Sequence, residues 1–159
     1  MSALKTIVQM LVVPAFALSA ALASAQAPSY GPAVNLATAK KMAAGAIAEA
    51  QKNNWNVAVA IVDTHGYLVY FEKMDDTQTA SVNVAIEKAK TSGMFRRPSR
   101  VFEEGVTKGR VALLGLSGAM PITGGLPIMM GGKVVGGIGV SGVTSDQDEQ
   151  CAKAGLSGM

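Results

Sequence analysis

Cysteine and histidine are almost missing from this chain: Cys151 and His65 are the sole examples in 159 residues. One cysteine excludes an internal disulfide and leaves a thiol, a link between chains, or a small buried residue on the last helix. One histidine excludes the Cys/His cluster that structural zinc needs. It also leaves no serine, cysteine or threonine with an evident histidine–acid partnership. Aromatic residues are 5% of the chain and charged residues 16%, with a net charge of +3. The densest basic region, Arg96, Arg97, Arg100 and Arg110, is interrupted by Glu103 and Glu104. A nucleic-acid surface wants a basic stripe interleaved with stacking rings, and neither is present.

Long apolar runs are scarce too. The longest, Ile7–Leu22, falls short of the roughly 20 residues that span a bilayer. Lys5 precedes it and Ala23-Ser24-Ala25 follows with the small-x-small form of a cleavage site. Residues 1–25 therefore read as a secretory signal peptide cut after Ala25, which sends the product to a secreted or periplasmic setting with no membrane contact after cleavage. Residues 26–34, with Pro28, Gly31 and Pro32, read as a flexible tether. Residues 35–159 suit one domain with a sizeable core.

Asn35 is an N-cap, and Leu36, Ala39, Met42, Ala43, Ala46, Ile47 and Ala50 recur at helical spacing to about Asn53. Val57–Val62 is a valine-rich buried strand. Asp63-Thr64-His65-Gly66 is a turn, returning as a second strand over Tyr67–Lys73. Val82, Ala85, Ile86 and Ala89 mark a second helix, fading near Gly93. Ser99 caps a third helix, with Glu103 and Glu104 early in it. Most of the 18 glycines lie at or beyond Gly105. Leu126–Met130, Gly131-Gly132 and Lys133–Ser141 form a second hairpin. Ser145 caps a final helix, and Asp148 complements its N-terminus. Tight turns make the paired strands antiparallel, so the class is α+β with helices covering the sheet.

Seven segments occur in an order that resembles one family: Val59-Ala60-Ile61-Val62-Asp63 with Gly66, Met74-Asp75, Ala85-Ile86-Glu87-Lys88-Ala89-Lys90-Thr91, Arg97-Pro98-Ser99, Gly124-Gly125-Leu126-Pro127, Val135 to Gly142, and Gln147 to Gly155. The set resembles the GlcG/HbpS-like haem-binding family, which includes the C-terminal domain of PduO-type proteins, and it covers about Leu36 to Leu156. The resemblance implies a profilin-like sandwich with a five-stranded antiparallel sheet flanked by helices. The fifth strand then falls between Arg110 and Thr123, from Val111, Leu113 and Leu114. It also implies a homo-oligomer and a small-molecule ligand, haem or a corrinoid. An exported setting lacks a ready nucleotide supply, which makes the corrinoid role less attractive.

On this resemblance Thr91 is the candidate for contact with a haem edge or an iron-bound water; its alternative is a helix-end hydroxyl bonding back to the preceding turn. Lys88, three residues earlier, is the cation for a propionate, or a solvated lysine. Met94 and Phe95 are candidates for an apolar wall, or for core packing. His65 is the sole imidazole available to iron, although it sits in a hairpin tip. Tyr67 and Tyr70 are alternates, or half-buried packing residues. Asp63 and Asp148 are acid–base candidates only where burial raises a pKa. Gly124-Gly125 and Gly136-Gly137 read as tight turns or subunit contacts. The expected function is an exported oligomeric binding protein that stores, buffers or senses haem or a related tetrapyrrole. An enzyme that turns over a small molecule or degrades haem, and a ligand-free accessory oligomer, are the alternatives.

Overall fold

A computed structural model describes residues 26–158, so the signal peptide expected over 1–25 lies outside the described residues. The chain runs α1 (Leu36–Lys52), β1 (Ala58–Val62), β2 (Leu68–Lys73), α2 (Ser81–Phe95), α3 (Arg100–Thr107), a short 3-10 helix (Val111–Gly115), β3 (Gly125–Met130), β4 (Lys133–Ser141) and α4 (Ser145–Ser157). Four strands form one antiparallel sheet in the order β2-β1-β4-β3.

Helices cover both faces of this sheet. Strand β1 is buried on both sides, as its unbroken apolar run requires. Val59 and Ile61 point into a core shared with Met42, Ala46 and Ile47 of α1 and Cys151 and Ala152 of α4. Ala58, Ala60 and Val62 face Ala85 and Ala89 of α2. The second face is narrow because both sides of it are small. A Cβ at Gly137 would collide with the Ala89 carbonyl, and one at Gly139 with that of Ala85. Gly136-Gly137 is therefore mid-strand backbone against which a helix rests, not the turn or subunit contact expected from sequence.

The fifth strand does not form. Val111, Leu113 and Leu114 wind into the 3-10 helix, with Val111 64% and Leu114 63% exposed. Gly115, Gly118 and Pro121 break any strand period here. The first residue of β3 is already engaged, since Ser99 N–H donates to Gly125 O (3.0 Å) and Gly125 N–H donates to Ser99 Oγ (2.9 Å). That second bond corrects the cap reading, because Ser99 uses its hydroxyl on β3 and not on α3.

The expected tether also differs. Beyond the end of β1, residues 29–34 lie along β4: Val134 N–H donates to Ser29 O, Gly31 N–H to Val134 O and Val34 N–H to Val135 O. Arg96 stacks over Tyr30 at 5.0 Å and donates to Pro28 O. The segment completes backbone pairing that β1 is too short to supply.

Candidate functional site

Helix α2 separates two environments. Its inner stripe is Ala85, Lys88, Ala89 and Ser92, and all four are buried. Lys88 is 1% exposed. Its Nζ donates to Asp148 Oδ2 at 2.7 Å and to the Val140 carbonyl at 3.1 Å. The other oxygen of Asp148 accepts the Val143 N–H. Burial pushes the Asp148 carboxyl above its usual range, and the attraction of Lys88 offsets this only in part. Lys88 is thus neither the propionate cation nor a solvated lysine: it ties α2 to α4 beneath β4. Asp148 lies in this interior, while Thr144 caps α4 in a capping box with Gln147, in place of the expected Ser145. Beside it, Arg100 of α3 holds Asp146 and Glu149 of α4.

Thr91 is fully buried. Its hydroxyl donates to Glu87 O at 2.7 Å, the back-bond that helix threonines favour. The same oxygen accepts the Met120 N–H at 2.7 Å. A second tie, Thr123 N–H to a Glu103 carboxylate oxygen at 2.7 Å, fixes the other end of this loop. Thr91 therefore clamps the 116–123 loop and does not reach open space.

The outer stripe of α2 borders a surface trough made of two adjoining depressions that share Glu87 and Gly118. One, about 340 Å³, is lined by His65, Gly66, Tyr67, Lys90 and Met94 as well. The other, about 530 Å³, has an apolar lining from Val106, Leu114, Ala119, Met120, Pro121 and Ile122, with Glu103 and Thr107 at its side. The hairpin tip is held rigid from within: the Asp63 carboxylate accepts the N–H groups of His65 (2.8 Å) and Tyr67 (2.9 Å). Gly66, at φ +85°, presents bare backbone to α2; a Cβ there would lie 2.7 Å from Met94 Sδ. This contact brings His65 and Met94 to one site from positions far apart in sequence. His65 Nδ1 lies 3.3 Å from Thr64 Oγ1, and among the described residues its Nε2 has no hydrogen-bond partner.

Like Lys88 and Thr91, two more expected residues stay apart from the trough. Phe95 packs edge-on against Phe102 of α3, with centroids 5.3 Å apart, so Met94 and Phe95 form no common wall. Tyr70 is half-buried and donates to Glu72. Cys151 is buried, and its thiol is pushed up to about 12 by desolvation, with Asp148 and Glu49 adding to the effect. The structure adds two residues that the sequence reading missed, Glu87 and Lys90, whose side chains meet at 2.8 Å. Their signal was the spacing Glu87, Lys90, Met94, three and then four residues along one helix face. Among the described residues no cluster of three or more histidine, cysteine, aspartate or glutamate side chains could hold a metal ion.

The model of a family described as haem degrading protein HbpS-like matches residues 34–157. Protein GlcG of Escherichia coli K12 is 39% identical over 93 residues, spanning 58% of this chain and 69% of that protein. A double mutant of Streptomyces reticuli HbpS superposes with a TM-score of 0.74 at 30% identity, over 81% of this chain and 88% of that one. The structure of a PduOC:haem complex gives a TM-score of 0.72 at 24% identity, over 80% and 95% of the two chains, a likeness of fold.

Proposed function

The chain belongs to the HbpS-like family, and from that premise we propose that it is an exported, self-associating protein that takes up haem or a related tetrapyrrole to store, buffer or report it. One observation carries the proposal: a long trough with an apolar floor ends at an imidazole, a thioether and an ammonium. A planar, largely apolar ring with acidic tails matches that distribution, since its faces want carbon and its edge wants a cation. His65 and Met94 are the donors that would hold the iron, and Lys90 takes the role first given to Lys88. Bound haem would supply an iron centre whose reactivity these donors tune.

Export rests on the leader at residues 1–25. Self-association is supported by the apolar side chains of Val111 and Leu116, which are exposed and lie outside the lining of the trough. Haem degradation is the second reading, favoured by the family's description. The acid–base candidates Asp63 and Asp148 are engaged, the first in its turn and the second with Lys88, while the His65 imidazole borders the trough.

Haem titration tests the proposal. A Soret band that grows to saturation, weakened at least about tenfold by His65→Ala as expected for loss of an iron donor, supports it. Thr91→Ala, which frees the 116–123 loop, weakens the band as well. No spectral change at micromolar haem overturns the reading.

A further inference from the structure

Among the described residues that line the two depressions, Lys90 is the one lysine or arginine. Its stem passes the hairpin tip: a Cβ on Gly66 would sit 3.4 Å from Lys90 Cγ, on the same side as Met94 Sδ. Lys90 thus lines the same depression as His65 and Met94. It is not free there. Glu87 Oε1 accepts its hydrogen bond at 2.8 Å, and the two side chains are 37% and 36% exposed. Glu87 stands where the depressions join, so its carboxylate occupies the point at which an incoming acid would meet the cation.

We propose that Lys90 makes the trough favour flat apolar molecules that carry carboxylates over the same ring without them, and that Glu87 is a built-in competitor, displaced by a carboxylate of the ligand, which moderates that preference. This rests on the trough being a tetrapyrrole site. The physical argument is one of balance. A half-exposed pair is weak, because water screens it and two long side chains must be held in one place. Displacement is therefore cheap, and a released Glu87 returns to water. The carboxylate that replaces it arrives with the ring already resting on the apolar floor, so its own ordering is largely complete. A neutral ring gains the floor but leaves Glu87 in place, with no bond to offer Lys90. The other acid of the trough, Glu103, does not compete, since it accepts the Thr123 N–H.

The test pairs two probes, haemin and its dimethyl ester, with the wild type, Glu87→Gln and Lys90→Gln, each followed by Soret titration. Glu87→Gln is expected to bind haemin about fivefold tighter, the scale of one exposed ion pair. Lys90→Gln should bind it more weakly by a similar factor. Both should leave the dimethyl ester within about twofold of wild type, and the haemin effects should shrink in high salt. Haemin affinity unchanged or weakened by Glu87→Gln overturns the competitor, as does an ester that shifts in step with the diacid. A wild type that binds neither probe overturns the tetrapyrrole reading itself, and the competitor falls with it.

Discussion

Helix α2 carries two lysine–carboxylate pairs two residues apart. Lys88 meets Asp148 at 2.7 Å and Lys90 meets Glu87 at 2.8 Å. The chemistry and the length are the same. The side chains of the first pair are 2% and 3% exposed, and those of the second 36% and 37%. Removing water makes the first pair a structural tie that neither partner can leave. Keeping water makes the second an arrangement that a ligand can rewrite. Environment, not the pair, decides which lysine can serve a site.

The largest expected effect comes from breaking the inner pair. Lys88→Met leaves Asp148 buried without its cation and should destabilise the fold by about 3–5 kcal/mol. A urea unfolding series reads this directly, and a loss below about 1 kcal/mol would erase the contrast drawn above. Adding Asp148→Leu should recover most of the loss, because the cost lies in the uncompensated charge more than in the missing bond.

The next effect is in pH. Burial raises the Asp148 carboxyl above its ordinary value, so the folded chain binds that proton more tightly than the unfolded chain. Its contribution to stability is present at acid pH and is lost as pH rises from the ordinary value of 3.8 through the folded one. Its neighbour Glu149 behaves in the opposite sense. Burial pushes that carboxyl up, but bonds from Arg100 and Lys153 outweigh burial and hold it low. Stability from Glu149 is present above 4.5 and is lost as pH falls through its folded value. Carboxyl-carbon titration by NMR should show Asp148 above and Glu149 below their ordinary values. An Asp148 that titrates below 3.8 would mean that the attraction of Lys88 outweighs the cost of burial.

The sequence made most of the fold legible and less of the site. Helix α1, both hairpins and the buried strand β1 follow from apolar period and turn residues, which are local signals. Two misreadings share one cause, a residue whose local role was taken by a distant partner. Ser99 bonds Gly125 instead of capping α3, and Gly136-Gly137 receives α2 instead of turning the chain; Asp148 keeps its expected place in the first turn of α4 and faces Lys88 as well. The missing fifth strand is a different failure, since residues 111–115 wind into a 3-10 helix beside α3 instead of pairing with an edge strand, and Val111 and Leu114 stay exposed. For the site, His65 and Met94 were named, but nothing in the sequence shows that Gly66 brings them together. From sequence Lys88 reads as a propionate cation or a solvated lysine, the usual roles of a lysine on a helix. Its spacing from Ala85, Ala89 and Ser92 placed it on the buried stripe all along.

The outer pair should matter least to the fold. Glu87→Gln and Lys90→Gln should each change unfolding stability by no more than about 1 kcal/mol. A double-mutant cycle between them should give a coupling of up to about 1 kcal/mol, the upper end for exposed pairs, and less in high salt. The same cycle on Lys88 and Asp148 should give several times more. A large coupling at the outer pair would mean that the fold depends on it, and a ligand would then have to unmake structure to reach Lys90. A small one means that the fold is indifferent to whether Glu87 or an outside carboxylate holds the ammonium. That indifference is what permits exchange: a binding site can hand its cation from one acid to another only where the protein's own stability has no stake in which acid it is.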